Sequence, residues 1–217
     1  MTYIIAIDGP SGSGKSTIST KLAEILKIEY LNTGSMYRAV TKYFLDHGLG
    51  EKANKNEIID ALDNIAINFI DNEIYLNGES IEDEIRTDLV TKNVSWVSAN
   101  PLVRERLVDM QRDIANQKSF VLDGRDIGTV VFPDAKYKFY LTASPRQRAI
   151  RRFGQHESDL TIDQIEKSII DRDFYDSNRS VSPLKKAEDA IMIDNSKQTI
   201  DQTIESILEN MDKDDVV

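Results

Sequence analysis

The residues with the clearest chemical consequence are Gly9-Pro10-Ser11-Gly12-Ser13-Gly14-Lys15-Ser16, followed by Thr17. They fit the spacing G-x-x-x-x-G-K-[ST], in which glycines let backbone amides wrap an anion and the next helix adds the positive end of its dipole. In such a loop Lys15 reaches the β- and γ-phosphates of a nucleoside triphosphate, and the Ser16 hydroxyl holds Mg²⁺. A flexible Gly/Ser linker is the bland alternative. The flanks speak against it, because residues 3–8 (YIIAID) form a short apolar run and Ile18, Leu22, Ile25 and Leu26 recur at helical spacing. Strand, glycine-rich turn and helix is the context the loop requires.

Such a loop is shared by GTPases, motor ATPases and small-molecule kinases, so the remaining polar residues must choose. The one stretch that resembles a guanine reader, Asn54-Lys55-Asn56-Glu57, ends in Glu rather than Asp and follows no strand. It reads as a solvated loop or a helix start. The chain has two histidines, His47 and His156, with no Ser-His-Asp set and no H-E-x-x-H. Arginines, by contrast, fall at four places: Arg38; Arg125, beside Asp123 and Asp126; Arg148, Arg151 and Arg152 on one helix face; and Arg172 and Arg179 around Asp176. Phosphoryl transfer spreads charge over the equatorial oxygens, so cations and positioning do most of the work. A phosphate acceptor is largely ionised near neutral pH, its second pKa being about 6, and needs no strong base. A base-poor, arginine-rich chain is what such an acceptor predicts.

Each arginine also has an ordinary explanation. Asp123-Gly124 can be a plain turn, Arg172 and Arg179 can pair with neighbouring acids, and the Arg148/Arg151/Arg152 face can be solvated. Three like charges within about one helical turn nevertheless repel unless something anionic lies among them. Trp96 and Tyr43 read as core.

The elements that must carry these residues alternate. Short strands are expected at 3–8, 30–31, 119–123, 137–141 and 190–194, and helices after the glycine loop, at 35–45, from Pro101 to about residue 117, after Ser144-Pro145, and over the Ile200/Ile204/Ile207/Leu208/Met211 stripe. Alternation of this kind predicts a parallel sheet covered on both faces. Residues 54–87 differ: a helix at 60–65, then two short runs around Asp71-Asn72, with a second turn at Gly78-Glu79, suggest an antiparallel insertion. Residues 212–217 read as a frayed acidic tail.

The chain has 217 residues, 40% hydrophobic and 29% charged, no cysteine, and a formal net charge of −10. That is one domain with an insertion, without disulfide or thiolate chemistry. So acidic a surface repels polyanions, which argues against nucleic acid as a partner. No apolar run approaches bilayer length and the first residues lack a basic start, so a cytoplasmic, non-membrane protein is expected. A monomer is the default expectation.

Taken in order, residues 9–17, Thr33-Gly34-Ser35-Met36-Tyr37-Arg38, Glu84-Ile85-Arg86-Thr87, the long run 123–135 (DGRDIGTVVFPDA) and residues 172–179 resemble the bacterial-type cytidylate kinases. The resemblance implies a P-loop NTPase fold of class α/β, with a five-stranded parallel sheet flanked by helices, a small inserted acceptor-binding domain and a short lid. It implies a core of residues 1–33 and 113–217, an insertion at 34–112 and a lid at about 147–160. It also implies ATP-dependent phosphorylation of CMP and dCMP with Mg²⁺. Ser95, Arg104 and Asp126 would read cytosine; Tyr37, Arg172 and Asp176 would hold the sugar side, with Thr33 and Asp123 also on the acceptor side. Arg38, Arg125 and Arg179 would bind the acceptor phosphate, Arg148 would join Lys15, Arg125 and Arg179 in catalysis, and Arg151 and Arg152 would close over ATP. Asn32 departs from the family's usual Asp and carries no assigned role. Two other readings stay open: the same fold with a different acceptor, and an ATP-binding switch without one.

Overall fold

The computed structural model describes residues 2–70, 73–116, 118–155 and 160–216. Down the chain come β1 (Ile4–Asp8), α1 (Lys15–Leu26), β2 (Glu29–Asn32), α2 (Thr33–Asp46), α3 (Lys55–Asp63), β3 (Ile67–Ile70), β4 (Glu73–Leu76), β5 (Glu79–Ser80), α4 (Asp88–Ala99) and α5 (Pro101–Ala115). They are followed by β6 (Phe120–Gly124), a π-helical turn (Ile127–Val131), β7 (Tyr137–Thr142), α6 (Pro145–Phe153), α7 (Ile162–Asn178), β8 (Ile191–Asp194) and α8 (Ile200–Leu208). By contact density the chain divides into two compact units, Met1–Leu31 with Ala115–Val217, and Asn32–Ile114.

The first unit is built on a five-stranded parallel sheet in the order β2-β6-β1-β7-β8. The central strand β1 is apolar almost throughout, as a strand covered on both faces must be, and it pairs in parallel with β6 on one side and β7 on the other. From β1 the chain runs first to the edge strand β2, returns to β6 beside β1, then crosses to β7 and β8 on the other side. The carboxyl end of β1 is a switch point of the kind where open α/β sheets bind ligands. Under α1 and α8 lies one core of Ile5, Ile7, Ile18, Leu22, Leu26, Val121, Phe139, Leu141, Ile193, Ile204 and Ile207. Residues 212–215 of the closing segment are tied down, and Val217 lies outside the described residues. The Tyr137 hydroxyl donates to Asp215 at 2.6 Å, Lys136 reaches Asp212 and Asp215 at 2.9 and 2.5 Å, and the Tyr3 hydroxyl donates to the Asp215 carbonyl. The acidic composition suggested a loose tail; two tyrosines and a lysine from distant strands give those acids partners.

The second unit packs α2 against α4, with Met36, Val40, Phe44, Ile74, Ile85, Val94, Val97 and Leu107 buried. Trp96 stacks on Phe44 with ring centroids 6.0 Å apart and donates its indole N–H to Asn93, the structural role expected of it. β3 and β4 pair antiparallel from Ile67↔Leu76 to Ile70↔Glu73; the proposed turn residues Asp71 and Asn72 lie outside the described residues. The second turn is Asn77-Gly78, with φ of 51° and 90°, not Gly78-Glu79, because a tight hairpin turn wants two successive positive φ angles. The α3 helix begins earlier than the expected 60–65: Asn54 and Glu57 form a reciprocal capping box, so the would-be guanine reader is a helix start. Asn32 likewise has a local job. Its side chain accepts from the Ser35 amide at 3.0 Å and caps α2, which therefore starts at Thr33.

Phe139, 1% exposed in the core beneath α1 and α8, sets a stability benchmark. Phe139→Ala is expected to cost about 3–5 kcal/mol in urea unfolding, whereas Met192→Ala, at 62% exposure, should stay within about 0.5 kcal/mol.

Candidate active site

At the end of β1 the chain turns into residues 9–14, whose glycines are needed where they stand. Gly9 has φ 151°, and a Cβ there would lie 2.0 Å from the Leu141 carbonyl oxygen; Gly12 and Gly14 have φ of 75° and 89°. This curled loop feeds directly into α1, so its amides and the helix terminus face one anion site. Lys15 is buried, its ammonium donating to the Pro10 carbonyl at 2.8 Å, with the Ser13 hydroxyl at 3.5 Å. Burial, and then Arg125 nearby, pulls its pKa down to about 7. Such an ammonium gains from an arriving phosphate far more than a hydrated one would.

The Ser16 hydroxyl donates to Asp123 at 3.0 Å, and Tyr30 donates to the other oxygen of the same carboxylate at 2.8 Å. Asp123 is buried, which pushes its pKa up against the pull of Lys15. Its hydrogen bonds run to Ser16 of α1 and Tyr30 of β2. A hydroxyl and a carboxylate here make a hard-oxygen donor pair that fits Mg²⁺, an ion that keeps several waters and takes one or two protein ligands beside phosphate. Among the described residues no cluster of three or more His, Cys, Asp or Glu side chains stands together.

Past β6 the arginines interlock with acids. Arg125 Nε donates to Asp176 at 3.2 Å, Arg172 Nε lies 4.0 Å from the same carboxylate oxygen, and Arg179 lies 3.8 Å from Asp126 while donating to the Ser182 carbonyl at 2.6 Å. The ordinary explanation, pairing with neighbouring acids, is therefore met for Arg172 and Arg179. It also ties Arg125 and Arg172 to one carboxylate, Asp176, and sets Arg179 beside Asp126. Buried carboxylates hold the guanidinium groups in place, which lowers the entropy lost when an anion is bound.

The α6 arginines differ from their sequence reading. Arg148 is 3% exposed: it donates to the Ala143 and Ser11 carbonyls at 2.9 Å each and pairs with Asp173 at 2.6 Å. Arg151 donates to the Asn195 carbonyl at 2.7 Å and to the Asn195 side chain at 3.0 Å. Repulsion between the two is thus answered by protein carbonyls and Asp173, with no bound anion required, while Arg152 is partly exposed. Of the expected lid, residues 147–155 belong to α6 and its end, and residues 156–159 lie outside the described residues. A cavity of about 420 Å³ opens beside Pro10, lined by Tyr140, Ser144, Arg148, Asp173 and Asp194 among others.

Two residues here were missed from sequence. Asn195 is 3% exposed, donates to the Ser13 carbonyl at 2.9 Å and accepts from Arg151. Its signal was its position, one residue past β8 at the carboxyl edge of the sheet. Asp8, the last residue of β1, accepts from the Ile127 and Gly128 amides at 2.8 Å each. A strand-ending Asp before a glycine carries no such signal.

Within the second unit, Arg38 donates to the Ile85 carbonyl at 2.9 Å and to Thr91 at 3.0 Å. Arg104 is buried, lies over the Tyr37 ring at 5.4 Å and donates to the Ser98 carbonyl at 3.1 Å. Thr33 is buried at the start of α2, and Ser95 is partly exposed on α4.

Two measurements test this geometry. Asn195→Ala removes the bonds to Ser13 and Arg151 and is expected to weaken ATP binding by about tenfold in calorimetric titration, about the value of one or two buried hydrogen bonds. Burial raises the Asp8 pKa from 3.8 to about 6, against the pull of the two amides and of Lys15, with Asp126 adding to the rise. The native state then holds the extra proton between about pH 4 and pH 6, so this group's contribution to stability falls as pH rises through that window. Wild type should lose about 2–3 kcal/mol relative to Asp8→Asn between those limits, read from urea unfolding at each pH.

A cytidylate kinase family model matches residues 5–213. The chain is 46% identical over 208 residues to the cytidylate kinase of Clostridioides difficile (strain 630), covering 94% of this chain and 96% of that one. It is 45% identical to the cytidylate kinase of Fervidobacterium nodosum, with 94% of each chain covered. Among solved structures, the shikimate kinase of Bacteroides thetaiotaomicron superposes with a TM-score of 0.52 at 11% identity, covering 96% of this chain and 97% of that one, a likeness of fold. A phosphate loop backed by paired arginines, together with identity of this extent, places the chain in the cytidylate kinase family.

Proposed function

We propose that the protein transfers the γ-phosphoryl group of ATP to CMP and dCMP, with Mg²⁺ accompanying the ATP. The observation that carries this reading is the set of arginines after β6 and along the end of α7, Arg125, Arg172 and Arg179, each held by Asp176 or Asp126, with no histidine among these contacts. Cations without a base suit an acceptor that is already an ionised phosphate.

In this mechanism the 9–14 amides and Lys15 hold the triphosphate, and Arg148, anchored on the Ser11 carbonyl, adds charge where it develops in transfer. Arg151 with Asn195 fixes the loop from the side of α6. Bound at Ser16 and Asp123, Mg²⁺ would supply charge neutralisation of the phosphates. Arg125 and Arg179 hold the acceptor phosphate, and Arg172 with Asp176 the sugar. Asp126 accepts from the cytosine N4 amino group; uracil would present a carbonyl instead, leaving two acceptors opposed. Thr33, Tyr37, Arg38, Ser95 and Arg104 are assigned to the acceptor in the same reading, and Arg151 and Arg152 to a lid that excludes water. Among the described residues no helix is long and apolar enough to cross a membrane. The reading takes the protein as a cytoplasmic monomer, which light scattering on the purified chain tests.

An ADP-release assay across CMP, dCMP, UMP, AMP and GMP is expected to respond to CMP and dCMP above the rest; no preference for CMP overturns the reading. Asp126→Asn should lower the CMP/UMP ratio of kcat/KM by about a hundredfold or more, since the amide can donate to the uracil carbonyl. That loss should exceed the fall in kcat with the best substrate.

A further inference from the structure

The segment after β6 contains an Asp at a helix cap that does not cap. Asp126 precedes the π-helical turn Ile127–Val131, with φ −148° and ψ 24°, and its carbonyl accepts from the Val130 and Val131 amides at 2.9 and 3.2 Å. A residue so placed ordinarily bends its carboxylate back onto the first amides of its own turn. Here it makes no such bond, and lies instead 3.8 Å from Arg179.

The amides in question are taken by another residue. Asp8, 4% exposed at the end of β1, accepts from Ile127 and Gly128 at 2.8 Å each, one amide to each carboxylate oxygen. Both turn residues are buried, so water does not compete. Bonds of this kind, amide to ionised carboxylate, are among the stronger ones in proteins. A Cβ on Gly128 would make an ordinary contact with the Asp8 carboxylate at 3.4 Å and a tight one with the Lys138 side chain at 3.2 Å.

We propose that Asp8 is a specificity-determining positioning residue: it caps the 127–131 turn from outside, so that the Asp126 carboxylate stays turned toward Arg179 and reads the acceptor base. Because Asp8 is followed directly by Gly9, one short piece of backbone then sets both the triphosphate loop and the base-reading carboxylate. Without Asp8, the two amides recruit Asp126, which stands at the cap position of the same turn, and base discrimination is lost. This rests on the assignment of Asp126 as the base reader, and the experiment separates the two.

Asp8→Asn, Asp126→Asn, the double variant and Gly128→Ala are compared with wild type in kcat and KM for CMP, UMP and ATP. The CMP/UMP ratio of kcat/KM does not depend on the fraction of folded enzyme, so a destabilised variant still reports. Asp8→Asn is expected to lower that ratio by about tenfold or more, in keeping with the penalty for one unpaired buried amide, with KM for CMP rising more than KM for ATP. Gly128→Ala, which keeps Asp8 but presses the turn against the Lys138 chain by a few tenths of an ångström, should change the ratio in the same direction and by less. In the Asp126→Asn background, Asp8→Asn should change the ratio no further. A fall in activity equal for CMP and UMP in both Asp8→Asn and Gly128→Ala, while Asp126→Asn still changes the ratio, overturns the inference and leaves the base reader standing. No change of ratio in Asp126→Asn overturns the reading beneath it, and the inference with it.

Discussion

Everything at the site depends on how closely the end of β1 passes β7. A side chain on residue 9 would put a carbon 2.0 Å from the Leu141 carbonyl, so only glycine lets the chain leave the central strand there. With that approach made, residues 9–14 curl into an amide-lined nest and α1 starts in line with it. One residue earlier, Asp8 faces the opposite neighbour and ties down the turn that follows β6. Two adjacent residues thereby fix the loops on both sides of the switch point.

Burial of charge is the second organising fact. The chain carries a net charge of −10, yet Lys15, Arg148 and Arg179 are all buried cations. Such groups persist in the interior only with partners, and here carbonyls at the phosphate loop and the carboxylates Asp126 and Asp173 supply them. Pairing has a functional consequence. Guanidinium groups already held by carboxylates need little reordering when a phosphate approaches, and the partly desolvated Lys15 is left with charge demand that only an anion meets. Among the described residues the buried cations Lys15, Arg104, Arg148 and Arg179 are matched in number by the buried carboxylates Asp8, Asp123, Asp126 and Asp176, so the excess negative charge lies outside the interior.

Much of this was legible in the residues. The phosphate loop, the alternation of strand and helix, and the clustering of arginines rest on local spacing, and each appears in the structure near its expected place. The capping box at Asn54, one of the two readings its residues left open, and the cap at Asn32 are also written locally. What escaped were partnerships across the sheet: Asn195 with Ser13, Asp8 with Ile127 and Gly128, and Asp215 with Tyr137, which lie 182, 119 and more, and 78 residues apart.

Sequence alone therefore determined the family of chemistry, because glycine spacing, a following lysine and a surplus of arginine over histidine are properties of neighbours along the chain. Tertiary structure alone decided which acid serves which group. Asp123 and Asp126 stand three residues apart and look alike in sequence, yet one faces Ser16 and Tyr30 and the other Arg179. A carboxylate's role follows from burial and from the donors that strand order brings to it, and strand order is set by packing of the whole sheet, not by any run of residues.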